Sequence, residues 1–145
     1  MGFKEAVNSV LKQNYANFQG RASRSEYWFF ALFVFIVAAI LTALLFATVD
    51  FNTQQISGLG YVIIAILAVF YLGILIPSIA VAVRRLHDRN MSGWWYLAVV
   101  VLGQVPWLGA LVNLGFLVLM CLPGTSGPNR FGPDPKGADS FEVFA

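Results

Sequence analysis

Ionisable side chains are scarce in this chain, and they are unevenly spread. Charged residues make up 11% of its 145 positions while 59% are hydrophobic, far from the roughly 25% charged residues of an ordinary soluble domain. There is one cysteine, Cys121, and one histidine, His87. A single cysteine excludes an intramolecular disulfide and leaves the redox compartment unread. At the end of an apolar run it reads as a small apolar residue, with no neighbour to activate it as a nucleophile. A metal centre needs several His, Cys or carboxylate ligands, and His87 with Asp88 are too few. No Gly-rich strand-to-helix phosphate fingerprint and no Walker loop occur. No metal, no cofactor and no nucleic-acid partner is therefore expected. Three long stretches hold no charge at all, so the intramembrane ionisable groups that a proton-coupled carrier uses are missing.

What is there is apolar length. Tyr27 to Val49 carries no charge, and at ~1.5 Å per residue it is long enough for a hydrocarbon core about 30 Å thick. It is longer than the apolar region of a signal peptide and is preceded by a substantial polar segment, so it reads as an uncleaved anchor. Ser23 and Glu26 have the spacing of a capping box, which predicts a helix start there. Tyr27 and Trp28 suit the headgroup level. Tyr61 to Val83 is a second uncharged run, with Pro77 inside it predicting a kink near Ile74 to Pro77. The link from Asp50 to Gly60 has no Lys or Arg. The third run, Trp94 to Leu122, is broken by Gly103-Gln104-Val105-Pro106-Trp107-Leu108-Gly109. Two readings follow: one long kinked span, or two short helices forming a re-entrant hairpin whose bend must be buried in protein or water.

Two flanking segments complete the layout. Phe3, Ala6, Val7, Val10, Leu11, Tyr15 and Phe18 recur at helical spacing opposite Lys4, Glu5, Asn8, Ser9, Lys12 and Gln13, which predicts an amphipathic helix over 3–18. It is expected in the membrane interface, or else docked on the protein's own loops. Pro123 to Pro135 holds four Pro and three Gly, which excludes regular structure. The last ten residues show no pattern, and disorder is expected there. The chain thus reads as one all-α integral membrane domain over 1–145. Its parts are the N-terminal helix, spanning helices over 24–49 and 60–84, the broken region over 93–122, and a Pro/Gly-rich tail over 123–145.

The charges concentrate where the runs end. In Arg84-Arg85-Leu86-His87-Asp88-Arg89 only Leu86 cannot titrate. Arg21 and Arg24 precede the first run, and Arg130 lies in the tail. The excess of Lys and Arg before run one and after run two puts both on the cytoplasmic side. A hairpin would bring the tail there as well, whereas a single crossing would place Arg130 and Lys136 outside. One reading of the Arg set is purely topological. The other is a ligand site for anionic lipid headgroups or a partner, since guanidinium forks fit phosphate oxygens. Glu26, Asp88 and Asp134 among the Arg favour a folded ion-pair network, because an orientation signal needs no acids. The candidate ligand-binding set is Arg21, Arg24, Glu26, Arg84, Arg85, His87, Asp88, Arg89, Arg130 and Asp134. His87 alone reads as a solvated loop histidine.

Three stretches together carry a family resemblance. They are Phe18-Gln19-Gly20-Arg21-Ala22-Ser23-Arg24-Ser25-Glu26-Tyr27-Trp28, then Arg84-Arg85-Leu86-His87-Asp88-Arg89 with Ser92-Gly93-Trp94-Trp95, then Cys121-Leu122-Pro123-Gly124-Thr125 through Asn129-Arg130-Phe131-Gly132-Pro133-Asp134-Pro135. In order and spacing the chain resembles the bacterial inner-membrane proteins grouped as the domain of unknown function family 805, over about residues 15–136. The resemblance implies a small multi-pass protein of the bacterial plasma membrane with no assigned activity, and it suggests that the three polar motifs belong to one site. The leading expectation is a non-enzymatic binding or accessory module with a cytoplasmic Arg-rich face and an N-terminus on that side. Its partners would be membrane lipids, a second copy, or another membrane protein. The alternatives are an oligomeric conductance protein, or an enzyme acting on a phosphate-bearing lipid with His87 and Asp88 as its acid–base pair.

Overall fold

The computed structural model describes residues 1–137; the end of the tail, for which disorder is expected, lies outside the described residues. The described residues form five α-helices: α1 (Phe3–Asn8), α2 (Arg24–Phe46), α3 (Gly58–Asp88), α4 (Trp94–Leu102) and α5 (Gly109–Cys121). A two-residue antiparallel ladder, Val49–Asp50 (β1) against Gln55–Ile56 (β2), closes the turn between α2 and α3. Among the described residues, only α2 and α3 are long and apolar enough to cross a membrane.

The surface carries the evidence for a bilayer. Just 6% of the apolar window of α2 and 17% of that of α3 is buried. Phe35, Val69 and Leu72 are each about 70% exposed, at 68%, 72% and 71%. Monomeric soluble proteins do not show contiguous apolar surface of this extent. Conversely, Arg84, Arg85, Glu26 and Asp88 are all buried. Apolar groups face out and ionised groups face in, as expected where the surrounding solvent is hydrocarbon.

Ser23 caps α2 by accepting from the Glu26 N–H at 3.2 Å. Only half of the predicted capping box forms, because the Glu26 carboxylate turns away to accept from Arg84 and Ser9. The N-terminal helix is shorter than its periodicity predicts. It ends as α1, widens into one π-type turn over Ser9–Gln13, and stops where Asn14 Nδ2 bonds back to Ser9. Its apolar face docks on the protein: Val10 joins Ala22, Phe30 and Val81 in a small core, and Phe3 meets Phe29 edge-on at 6.1 Å.

Helix α3 runs unbroken past Pro77. Proline at this position has no N–H to offer the carbonyl four residues back, Gly73. The Tyr15 hydroxyl supplies the missing donor, at 2.6 Å from Gly73 O. The helix also continues further than the apolar run that predicted it. Arg84 to Asp88 form its last turn, where an apolar-run criterion ends the helix at 84 and treats His87 as part of a solvated loop.

The third apolar region is a hairpin. α4 leaves beside the C-terminal end of α3, the chain turns at Gly103 to Leu108, and α5 returns to that same end, where Arg85 reaches the Met120 carbonyl. Tyr96 and Phe116 pack across it with ring centroids 5.9 Å apart. At the bend, a side chain on Gly109 would run into the backbone of Gly103. Asn113 Nδ2 donates to Gly109 O at 2.9 Å, so the polar group at depth serves the turn itself. One continuous helix through the region is excluded, because both ends of the region meet the same turn of α3.

Candidate polar site

All ten candidate residues gather at the end of the molecule where α2 begins, α3 ends and α5 returns. The sequence separations are large, yet the contacts are direct, and they divide into two buried networks and an outer rim.

The first network centres on Asp88. Its Oδ1 accepts from Arg21 Nε at 2.9 Å, with Arg21 Nη2 at the same distance. Its Oδ2 accepts from Arg85 Nη1. One carboxylate therefore faces two guanidinium groups, and the excess positive charge is taken up by backbone carbonyls. Arg21 donates to Gly127 O at 2.6 Å and Thr125 O at 2.5 Å, and Asp134 lies 4.0 Å away. Arg85 donates to Met120 O at 3.2 Å and to Leu122 O.

Those carbonyls explain why arginine stands here. The last carbonyls of a helix have no partner within it. At the end of α5, which packs in apolar surroundings, unmet carbonyls would be costly. Arg85 from α3 meets Met120 and Leu122, Arg24 from α2 reaches Cys121 O at 3.4 Å, and Arg89 donates to Pro123 O. Positive charge at a helix C-terminus is also favoured by the helix dipole. The tail returns the service to α3. Thr125 donates through both its N–H and its hydroxyl to Asp88 O at 2.8 Å, and Asn129 Nδ2 donates to His87 O at 2.9 Å. Gly124 is required by this closeness, since a Cβ there would overlap the Asp88 carboxylate.

The second network links three elements. Glu26 Oε1 accepts from Arg84 Nη2 at 2.8 Å and from Ser9 Oγ at 2.9 Å. It ties the π-type turn that follows α1 to α2 and α3. Ser9 was not singled out in the sequence; its place opposite the apolar stripe reads as solvent-facing. In the structure it is buried.

His87 is buried on the last turn of α3. Its ring stacks on Phe131 with centroids 3.9 Å apart and planes 4° from parallel. Nδ1 lies 3.1 Å from Gly20 O. The Asn129–Gly132 turn presents Phe131, and the Arg130 guanidinium sits 4.6 Å from the centre of that ring. Arg130 also donates to Asn90 O at 3.1 Å. Asp134 accepts from the Lys136 and Gly127 N–H groups, at 2.9 Å and 3.0 Å. These bonds, the Lys136 N–H first, hold its carboxyl below the usual carboxylate range.

The rim comprises Arg24 and Arg130, both exposed, with Arg89 half-buried. Each spends part of its guanidinium on one backbone carbonyl. Among the described residues, no group of three or more His, Cys, Asp or Glu is placed to hold a metal.

Fold and site together define an all-α integral membrane protein closed at one end by a buried Arg–carboxylate knot. The chain belongs to the family described as Protein of unknown function (DUF805), which it matches over residues 15–133. It is 44% identical to "Inner membrane protein YhaI" of Escherichia coli (strain K12) over 128 residues, 88% of this chain and 92% of the relative. It is also 44% identical to "Inner membrane protein YhaH" of the same organism over 129 residues, 88% of this chain and 93% of the relative. A more distant relative, "Uncharacterized protein YiiR", is 28% identical and covers 88% and 91%. No solved structure matches.

Proposed function

We propose that this protein is a non-enzymatic module of the bacterial inner membrane, with its N-terminus and its Arg-rich end on the cytoplasmic side, where the rim binds anionic lipid headgroups. The observation that carries the reading is the division of labour among the arginines. Arg21, Arg84 and Arg85 are buried and paired with Asp88 and Glu26. Arg24, Arg89 and Arg130 ring the same end with donors to spare. Arg24 lines an open groove with Trp28, Phe29 and Cys121, about 320 Å³ in volume. A guanidinium that shares a groove with aromatic side chains at the start of a spanning helix suits a phosphate headgroup. The inner-membrane names of the two 44%-identical relatives support the location. The concentration of Arg at one end supports the orientation.

Two features weigh against a His87–Asp88 acid–base pair. Both Asp88 oxygens are held by arginine, and the His87 ring turns to Gly20 and Phe131. A conductance reading is not favoured either, since Asn113 and Thr48, two of the polar groups in the apolar runs, bond to local backbone.

The test compares the thermal stability of the full chain in nanodiscs of phosphatidylglycerol and of phosphatidylcholine. Basic residues near an anionic surface contribute ~1 kcal/mol each. The triple variant Arg24→Gln/Arg89→Gln/Arg130→Gln should therefore lose a lipid-dependent gain of about 3 kcal/mol, and added salt should shrink the gain in the wild type. A gain that ignores lipid charge would overturn the headgroup reading and favour a protein partner or a second copy.

A further inference from the structure

A second feature of the same end is independent of the basic rim. Between α3 and α4 lies a cleft of about 610 Å³ whose walls include Ile79, Val83, Leu97 and Val100, and whose polar lining comprises His87 and Ser92 with Trp94 and Tyr96. Its size is that of a small-molecule site. Gly93 keeps its polar end open: a Cβ there would overlap Val83 and come within 3.4 Å of His87 Nε2.

The chemistry at that end is defined. Gly20 O can only accept, so His87 Nδ1 carries the hydrogen, and in the neutral ring Nε2 is a bare acceptor. The His87 residue is only 9% exposed, and no described residue bonds to Nε2. Ser92 Oγ accepts from the Trp94 N–H at 3.4 Å, which leaves its own hydrogen free to donate. An acceptor and a donor at one end of an apolar cleft match a hydroxyl, which needs both. The occupant's remainder is set by the walls. Trp94 and Leu97, which line the cleft from α4, are 74% and 52% exposed. An apolar cleft with exposed walls beside α3, a helix of spanning length, suits a chain that enters from the bilayer.

We propose that this cleft binds a neutral, hydroxyl-bearing lipid. Its chain lies against α3 and α4, and its hydroxyl bridges His87 Nε2 and Ser92 Oγ.

The chain's single histidine makes the test direct. The full protein, labelled with 15N-histidine in phosphatidylcholine nanodiscs, is titrated with 1-monooleoylglycerol. Methyl oleate, which has the same chain and no hydroxyl, is the control. The expected result is a saturable upfield movement of the Nε2 resonance with monooleoylglycerol and none with methyl oleate. Ser92→Ala should weaken the response about two- to tenfold, the worth of one ordinary hydrogen bond. Leu97→Trp, which fills the cleft, should abolish it. An Nε2 resonance indifferent to monooleoylglycerol, or moved equally by methyl oleate, overturns the proposal, and the wild type alone decides this should the Trp variant not fold. The probe is uncharged, so the outcome is separate from that of the phosphatidylglycerol experiment.

Discussion

Asp88→Asn is the sharpest probe of the polar knot. The substitution preserves shape and leaves one oxygen, which can still accept from Arg21. The other oxygen becomes an amide nitrogen facing the Arg85 guanidinium, a donor against donors. One charge-assisted bond is lost, worth about 1.5–3 kcal/mol. The buried Arg85 guanidinium then has no carboxylate partner and Arg21 keeps only Asp134 at 4.0 Å, and removing one partner of a buried pair costs about 3–5 kcal/mol in total. At the 2–4 °C per kcal/mol typical of chains near this size, melting should fall by about 6–20 °C in detergent. A second readout comes from the tail, because Arg21 and Asp88 together hold Thr125 and Gly127. Trypsin cleavage at Arg130 should accelerate in the variant. In the Asp88→Asn background, Arg21→Met should cost less than it does alone, with a coupling of about 1–3 kcal/mol. A melting point within about 3 °C of wild type, together with unchanged tail cleavage and additive mutants, would refute the claim that the carboxylate organises this end.

Tyr15→Phe should cost about 1 kcal/mol by leaving Gly73 O without its donor. Pro77→Ala supplies a backbone N–H to that carbonyl, so Tyr15→Phe should cost markedly less in the Pro77→Ala background; equal costs in the two backgrounds on thermal melting would dismiss the pairing. Asp134 predicts a pH dependence. Its carboxyl is held below the ordinary range, so the folded state favours the ionised form. That contribution is fully present above the unfolded value of about 3.9 and is lost as pH falls through the depressed folded value. Protection of the tail against an acid-active protease should therefore hold down to about pH 4 and decay below it, and Asp134→Asn should remove that decay.

The parts of the fold legible in the sequence are those governed by length and by charge. Two uncharged runs of spanning length are a physical requirement of the bilayer, and they appear as α2 and α3. The Gly103 to Gly109 segment is a break on its face, though the choice between a hairpin and a crossing needed the contact of Arg85 with the end of α5. The clustering of the ten candidate residues was also readable, since charged groups excluded from lipid have few places to go. Three things were hidden. Helix α3 continues to Asp88 because its polar end is buried by other segments, and apolar runs do not report that. The partners of Arg21, Arg24, Arg85, Arg89 and Arg130 include backbone carbonyls, which every residue possesses and no residue type advertises. Ser9 and Tyr15 act through long-range partners, Glu26 and Gly73, that local periodicity cannot supply.

The reciprocal capping between α3 and the tail has a consequence for biosynthesis. Arg21 and Arg85 leave the ribosome well before the carbonyls of Met120 to Gly127 that they bind. Until those residues follow, the two guanidinium groups have Asp88 as their only intramolecular counter-charge and must remain hydrated at the membrane surface. The stretch from Met120 to Phe131 then acts as a late closure: its insertion dehydrates the arginines, caps two helices at once and seats Phe131 on His87. Nascent chains released before residue 120 should keep an open, water-filled polar end, the state in which quality-control proteases would recognise them as unfinished.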